Sequence, residues 1–163
     1  MTVVFNFYIK EIDQCTSQEL SDFKNTLLER SEINSENIDK RILRTKFLAF
    51  HYLESKLIGI GAIKSPSCGY RNRILAGQDT PSLNELPDSE IGWFYVHNDF
   101  QGKGIGGYIL SELLKKTPPM NLFAVTEYTN REARHLLAKN NFSFSSEINL
   151  NKEKVYLLYS RNM

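Results

Sequence analysis

The stretch Tyr95-Val96-His97-Asn98-Asp99-Phe100-Gln101-Gly102-Lys103-Gly104-Ile105-Gly106-Gly107-Tyr108 decides how this chain is read. An aromatic-rich run, Glu90 to Val96, predicts a strand that enters the stretch. Gly104 to Lys116 predicts a helix that leaves it, stopped by Pro118-Pro119. A glycine-rich loop joining a strand directly to a helix points several backbone N–H groups into one concavity. The helix adds the positive end of its dipole. Such a concavity suits an anion, best a phosphate or pyrophosphate. Glycine lets the backbone approach the ligand closely, and Lys103 adds a point charge. The loop is not a P-loop, because Gly-x-x-x-x-Gly-Lys-Ser/Thr is absent. As a dinucleotide fingerprint its third glycine spacing is wrong, and no acid-ended strand follows at about 20 residues.

Downstream, Leu122 to Thr126 predicts a strand. Thr129 or Asn130 caps a helix running to about Lys139, and Phe142 to Asn149 with Lys154 to Tyr159 forms a closing antiparallel pair. Upstream, Val3 to Ile9 predicts a first strand. Thr16 or Ser17 is the N-cap of a helix, with Glu19 completing a capping box and Leu20, Phe23, Leu27 and Leu28 at helical spacing. A short helix is expected over Ser35 to Arg44, with Ile38, Ile42 and Leu43 as its stripe. Strands follow at Phe47 to Leu53 and Lys56 to Lys64, turned at Glu54-Ser55. Gly59 and Gly61 inside the second of these mark a bulge or a close backbone approach. Ser65 to Pro87, with three prolines, predicts a long loop holding one helical turn near Arg73 to Leu75, of the kind that forms lids. The order of elements is that of a mixed α/β domain with one parallel crossover near its middle. Residues 1 to 163 are expected to form one domain.

Composition narrows the partners. Lys plus Arg is 20 and Asp plus Glu is 19, so no global field draws the chain to nucleic acid or membrane. Cys15 and Cys68 lack metal-ligand and redox spacing and are expected to be free thiols. The N-terminus does not suit a signal peptide, and no apolar run approaches the roughly 20 residues that span a bilayer. A cytoplasmic protein without a metal is expected.

Gln101-Gly102-Lys103-Gly104-Ile105-Gly106 resembles the acetyl-CoA signature of the GNAT superfamily of N-acetyltransferases, Gln/Arg-x-x-Gly-x-Gly/Ala at a strand–helix junction. The second half is similar too: a strand, then Asn130, Ala133, Leu136-Leu137, Lys139 and Phe142 follow the family's Asn-x-x-Ala-x-x-Leu-Tyr-x-Lys-x-Gly-Phe stretch. The likeness spans roughly residues 88 to 144. It implies a mixed, mostly antiparallel central sheet with flanking helices, and acetyl-CoA as acyl donor.

The resemblance also implies roles. Backbone amides of Gln101, Gly102, Lys103, Gly104, Ile105 and Gly106 would hold the CoA pyrophosphate. Backbone groups of Tyr95 and Val96, beside a strand bulge, would pair with the pantetheine arm and polarise the thioester carbonyl. Asn130 would hydrogen-bond the pantetheine, cap its own helix, or both. Glu90 falls where histone-type members carry a catalytic glutamate, and a base is needed to neutralise the attacking amine. Asp88 lies close enough to substitute, and His97 is a weaker candidate. Two positions depart from the family. Leu137 replaces the tyrosine that protonates the leaving thiolate, which leaves Tyr128 as a candidate acid. Asn140-Asn141 replaces the usual glycine before Phe142, and Asn tolerates the left-handed helix stop.

For the acceptor, Asp79, Glu85, Asp88 and Glu90 favour a cationic amine, whereas Arg71 and Arg73 with Tyr70 favour an acidic acceptor or the CoA phosphates. Both clusters also suit an ordinary solvated lid. A small-molecule amine or a peptide amine is the expected acceptor, with no nucleic acid or membrane partner. The last strands offer an edge for a homodimer. The alternative is a non-catalytic acyl-CoA-binding sensor, which Leu137 keeps open.

Overall fold

The computed structural model describes residues 2–163. Seven strands hydrogen-bond in the order β1-β2-β3-β4-β5-β7-β6. β4 and β5 are parallel, whereas β1 with β2, β2 with β3, β5 with β7 and β6 with β7 are antiparallel. The chain divides into two compact units, one of residues up to Lys64 with Gly92–Pro118, the other of Ser65–Ile91 with Pro119–Met163. No described helix is long and apolar enough to cross a membrane.

The first unit holds β1 (Phe5–Glu11), α1 (Ser17–Leu28), α2 (Ile38–Leu43), β2 (Thr45–Leu53), β3 (Lys56–Lys64), most of β4 (Glu90–Val96) and α4 (Ile105–Lys116). Thr16 is the N-cap of α1, with its hydroxyl accepting from the Glu19 N–H at 3.1 Å and Glu19 accepting from the Thr16 N–H at 2.8 Å. The other Glu19 oxygen takes Lys10 Nζ at 2.7 Å and the Tyr8 hydroxyl at 3.1 Å, so the cap also ties α1 to β1. Phe23 and Leu27 of α1 are fully buried against Leu48, Phe50, Ile60 and Trp93. In α2 only Ile38 and Ile42 face this core. Leu43, expected in the same stripe, is 60% exposed, because it follows Ile42 directly and so lies about 100° around the helix.

The β2–β3 hairpin turns at Glu54-Ser55 as expected, with Glu54 in the left-handed region at φ 53°. His51 pairs with Gly59 but Tyr52 pairs with Leu57, so Ile58 is an extra residue and bulges from β3. The glycines of β3 serve close approach. A Cβ on Gly61 would stand 2.8 Å from both Ile109 of α4 and Phe94 of β4. Helix α4 ends where Thr117 turns to φ −94°, ψ 155°, the extended conformation that a following proline demands.

His51 is 8% exposed, its ring set among Phe5, Phe7 and Tyr108 at 5.7–5.8 Å between centroids, and its Nδ1 is buried without a partner. Burial lowers its pKa. The unfolded chain therefore holds the proton more tightly than the folded one. Stability conferred by neutral His51 is complete above the free-histidine value of about 6.5 and falls as pH drops toward the lowered folded value. Melting temperatures measured from pH 8 to pH 5 are expected to fall less steeply in His51→Phe than in the wild type. Equal slopes would remove His51 from the acid sensitivity.

The second unit holds α3 (Cys68–Ala76), the start of β4, β5 (Leu122–Glu127), α5 (Arg131–Lys139), β6 (Ser143–Ile148) and β7 (Tyr156–Arg161). Its core is Ile74, Leu86, Phe123, Ile148 and Leu158. The expected long loop from Ser65 to Pro87 is corrected here: nine of its residues form α3. Ser67 caps that helix, its Oγ accepting from the Tyr70 N–H at 3.2 Å, and Gly77 closes it. Its sequence has almost no apolar stripe, and Ile74 alone is buried, so capping and one anchored side chain hold the helix rather than a pattern visible in the sequence. After α3, Gln78 bridges to Ile148 and its side chain bonds Ser82 and Leu83, which orders the remaining loop. The closing hairpin forms as expected, with β7 inserted beside β5 and β6 at the edge. Helix α5 stops at Asn141, φ 66°. The Phe142 N–H bonds the Leu137 carbonyl and the Asn141 N–H the Ala138 carbonyl, so asparagine fills the place that glycine usually takes.

Candidate active site

The glycine loop folds as a nest. Gly102 and Gly104 stand at φ 76° and 79°, a conformation that side chains disfavour, and α4 begins at Ile105. The first N–H of this segment to find a backbone acceptor is Tyr108, which donates to the Gly104 carbonyl at 3.0 Å. Among the described residues, the six N–H groups from Gly102 to Gly107 donate to nothing in the chain. A Cβ built on Gly102 or Gly104 meets no atom within 4 Å. The cradle is therefore open, lined with donors and placed at the positive end of a three-turn helix. Lys103 lies over the Phe100 ring at 5.5 Å. Gln101 faces the other way: its Nε2 donates to the Val96 carbonyl at 2.9 Å and to Asn98 Oδ1 at 3.1 Å, pinning the loop to the strand end. His97 is a loop residue, its Nδ1 accepting from the Asp99 N–H at 3.4 Å while its own N–H bonds the bulged Ile58 carbonyl at 2.8 Å.

Strand β4 changes character at Trp93, which takes φ 56° within the strand. A tryptophan in the left-handed region costs of order 1–3 kcal/mol. Burial against Phe23, with Lys64 and Arg41 over the indole at 5.0 and 5.6 Å, over-determines it. Beyond the kink, the end of α1 holds β4. Arg30 Nη1 donates to the Phe94 carbonyl at 3.0 Å, and the Tyr95 hydroxyl donates to Glu29 Oε2 at 3.1 Å. Burial and Glu29 raise the Tyr95 pKa, so its phenol keeps its proton. Glu29 and Arg30 escaped the sequence reading, because they lie more than sixty residues from β4 and match no motif.

In the second unit, Glu90 opens β4 opposite Phe123 and is 4% exposed. It is a buried carboxylate rather than a solvated strand-start residue. The Tyr70 hydroxyl of α3 reaches its Oε1 at 3.4 Å. Beside it Ser89 is fully buried, donating through Oγ to Asp88 Oδ1 at 2.8 Å and accepting the Phe123 N–H at its carbonyl. Asn130 is the N-cap of α5: its Oδ1 accepts from the Ala133 N–H at 3.0 Å. Its Nδ2 remains a donor. The Tyr128 side chain is 52% exposed and carries the Arg134 guanidinium 4.8 Å from its ring centroid.

The sequence model of the acetyltransferase (GNAT) family matches residues 12–142. The chain belongs to the GNAT acetyltransferase family. No curated protein matches it in sequence. Solved structures show the same fold at low identity. ElaA of Escherichia coli superposes with a TM-score of 0.71 at 11% identity, covering 98% of this chain and all of that one. An acyl-CoA N-acyltransferase from Pseudomonas aeruginosa gives 0.72 at 13%, covering 98% and 100%. An acetyltransferase of the GNAT family from Streptococcus agalactiae gives 0.68 at 16%, covering 99% of each.

GNAT proteins use acetyl-CoA, and the row of free N–H groups fits the pyrophosphate of that molecule. Leu137 is 6% exposed and cannot move a proton. Burial pushes the Cys15 thiol up to about 11, so it stays protonated at neutral pH, whereas Cys68 is exposed at the start of α3.

Proposed function

We infer that this GNAT protein transfers an acetyl group from acetyl-CoA to a primary amine by direct attack of the neutral amine on the thioester. The observation that carries this reading is the run of six unsatisfied N–H groups from Gly102 to Gly107. These groups are exposed or half-buried, so water fills them until a pyrophosphate replaces it with charge-assisted hydrogen bonds. Acetyl-CoA, held there, supplies the activated acyl group. Gln101 keeps the loop in register with the strand, and Lys103 adds positive charge. Backbone groups of Tyr95 and Val96 align the acyl arm, the Val96 carbonyl sharing its lone pairs with Gln101. The Asn130 Nδ2 is a further donor for the pantetheine. Glu90 takes the proton of the incoming ammonium, directly or through water. Tyr128 returns a proton to the departing thiolate. A thiol with a free pKa near ~8.5 also leaves without help, so activity does not require Tyr128.

Leu137 favours a second reading, a domain that binds acetyl-CoA and regulates without chemistry. Both readings require the cradle, so one experiment tests their common ground. Acetyl-CoA at a hundredfold excess over its dissociation constant is expected to stabilise the protein by roughly 2.7 kcal/mol in thermal unfolding, with NAD giving no shift. The absence of any shift with acetyl-CoA or CoA would reduce the loop to a tight turn and end both readings. Amine-dependent release of CoA then separates enzyme from sensor.

A further inference from the structure

The two outermost strands, β1 and β6, are finished differently. The outer side of β6 is closed by its own chain. Ser82 Oγ donates to the Ser145 carbonyl at 2.8 Å, the Asp79 N–H to the Glu147 carbonyl at 2.9 Å and the Asn149 N–H to the Gly77 carbonyl at 2.8 Å, while Gln78 bridges to Ile148. The outer side of β1 has no such cover. The Glu54 N–H bonds the Val4 carbonyl at 2.9 Å, so the backbone groups of Val4 face β2. Alternation then turns those of Asn6, Tyr8 and Lys10 toward β2, and those of Phe5, Phe7 and Ile9 outward. Among the described residues, the N–H and carbonyl groups of Phe5, Phe7 and Ile9 have no partner. The open row stops at Glu11, whose N–H donates to Gln14 Oε1 at 3.3 Å and whose carbonyl accepts from the Cys15 thiol at 3.5 Å.

Edge strands are ordinarily guarded by charges, prolines, bulges or a covering loop. Thr2 to Ile9 holds no charged residue and no proline, and β1 runs against β2 in unbroken register. Its side chains add an apolar face. Phe5 and Phe7 lie on the side of α4, against His51 and Tyr108, and alternation puts Val3 and Ile9 on the same face. Val3, Val4 and Phe5 are 55%, 50% and 54% exposed. Phe5 is held in place all the same, its ring stacked on buried His51 at 5.8 Å. A row of outward N–H and carbonyl groups is completed by another extended strand. No charge in this row selects a foreign strand, whereas a copy of itself meets it apolar face to apolar face.

We propose that β1 pairs antiparallel with β1 of a second copy of this chain, about a two-fold axis at Asn6. The register follows from the row. Pairing about that axis sets Phe5 of one copy opposite Phe7 of the other and Val3 opposite Ile9, so the outward groups from Val3 to Ile9 are all bonded. An axis at Phe7 would instead bring Val3 against Glu11, whose backbone groups are already engaged. Asn6 meets Asn6 of the second copy as a non-hydrogen-bonded pair, the closer kind, on the face that carries Tyr8. On the other face the phenylalanines of the two copies cover one another beside Tyr108. The paired strand is far shorter than the roughly 20–30 residues a side of a standard interface, so a micromolar dissociation constant is expected. The dimer does not depend on the acetyl-transfer reading.

Sedimentation equilibrium of the full chain over roughly 1 to 300 µM is expected to show monomer and dimer in exchange. Asn6→Lys and Asn6→Asp test the axis. Asn6 is exposed, so either charge is solvated in the monomer, and an unchanged melting temperature in dilute solution checks the fold. Each variant alone sets like charges directly opposite one another and is expected to weaken the dimer about threefold to tenfold. An equimolar mixture sets Lys against Asp and is expected to recover the wild-type affinity or better, a rescue that a merely misfolded variant does not give. A wild type that stays monomeric over this range overturns the proposal and leaves the edge to a strand of another protein. A dimer indifferent to both charges, or variants that mixing does not restore, overturns it too, by placing the contact elsewhere.

Discussion

Gly106→Trp is expected to abolish acetyl-CoA binding, raising the dissociation constant roughly a hundredfold or more, while the ligand-free protein melts almost where the wild type does. The substitution fills the space over the first turn of α4, among N–H groups that have no acceptor in the chain. Gly106 has ordinary helical geometry, and a Cβ there meets only the Val96 side chain at 3.8 Å, a normal contact. The Cβ therefore fits without strain, and the melting temperature of the ligand-free variant checks that the indole does too. Gly104→Trp blocks the same cradle but places a side chain at φ 79°, adding roughly 1–2 kcal/mol of backbone strain. Calorimetric titration of both variants separates the effects: Gly106→Trp loses ligand alone, Gly104→Trp loses ligand and some stability. Normal binding by Gly106→Trp would show that the pyrophosphate lies elsewhere.

Glu90→Gln is expected to lower kcat by about a hundredfold to ten-thousandfold while leaving acetyl-CoA affinity within a few fold. Glutamine keeps the shape of the buried side chain and still accepts from the Tyr70 hydroxyl, so packing is preserved. What it loses is its negative charge and the ability to take a proton. The deficit should shrink at high pH, where the amine arrives neutral and needs no base. Initial rates from pH 6 to pH 10 check this. A variant that keeps full activity at neutral pH would move the base to Asp88 or to solvent, and a rate loss with no pH dependence would make Glu90 structural.

Much of the fold was legible because local rules decided it. The Thr16–Glu19 capping box, the Glu54-Ser55 turn, the helix stopped ahead of Pro118 and the asparagine-stopped α5 each depend on a few neighbouring residues whose preferences agree. The anion cradle was legible for the same reason, since two glycines and a helix start make a nest wherever they occur. Two expectations failed where neighbours were silent. Leu43 is as apolar as its neighbours in α2, but a six-residue helix buries only one narrow face. Helix α3 was hidden under prolines and glycines, because its stability comes from Ile74 in a core assembled from residues far along the chain.

The sequence by itself determined the order of the strands and of every α-helix but α3, the glycine nest and the family, because hydrogen-bond caps, turn chemistry and glycine spacing act over a handful of residues. Only the tertiary structure decided that Glu90 is buried against Tyr70, that Glu29 and Arg30 hold the end of β4, and that Trp93 kinks the strand. Those facts depend on which distant segments pack together. Packing is set by the whole core at once, and no short stretch of residues encodes it.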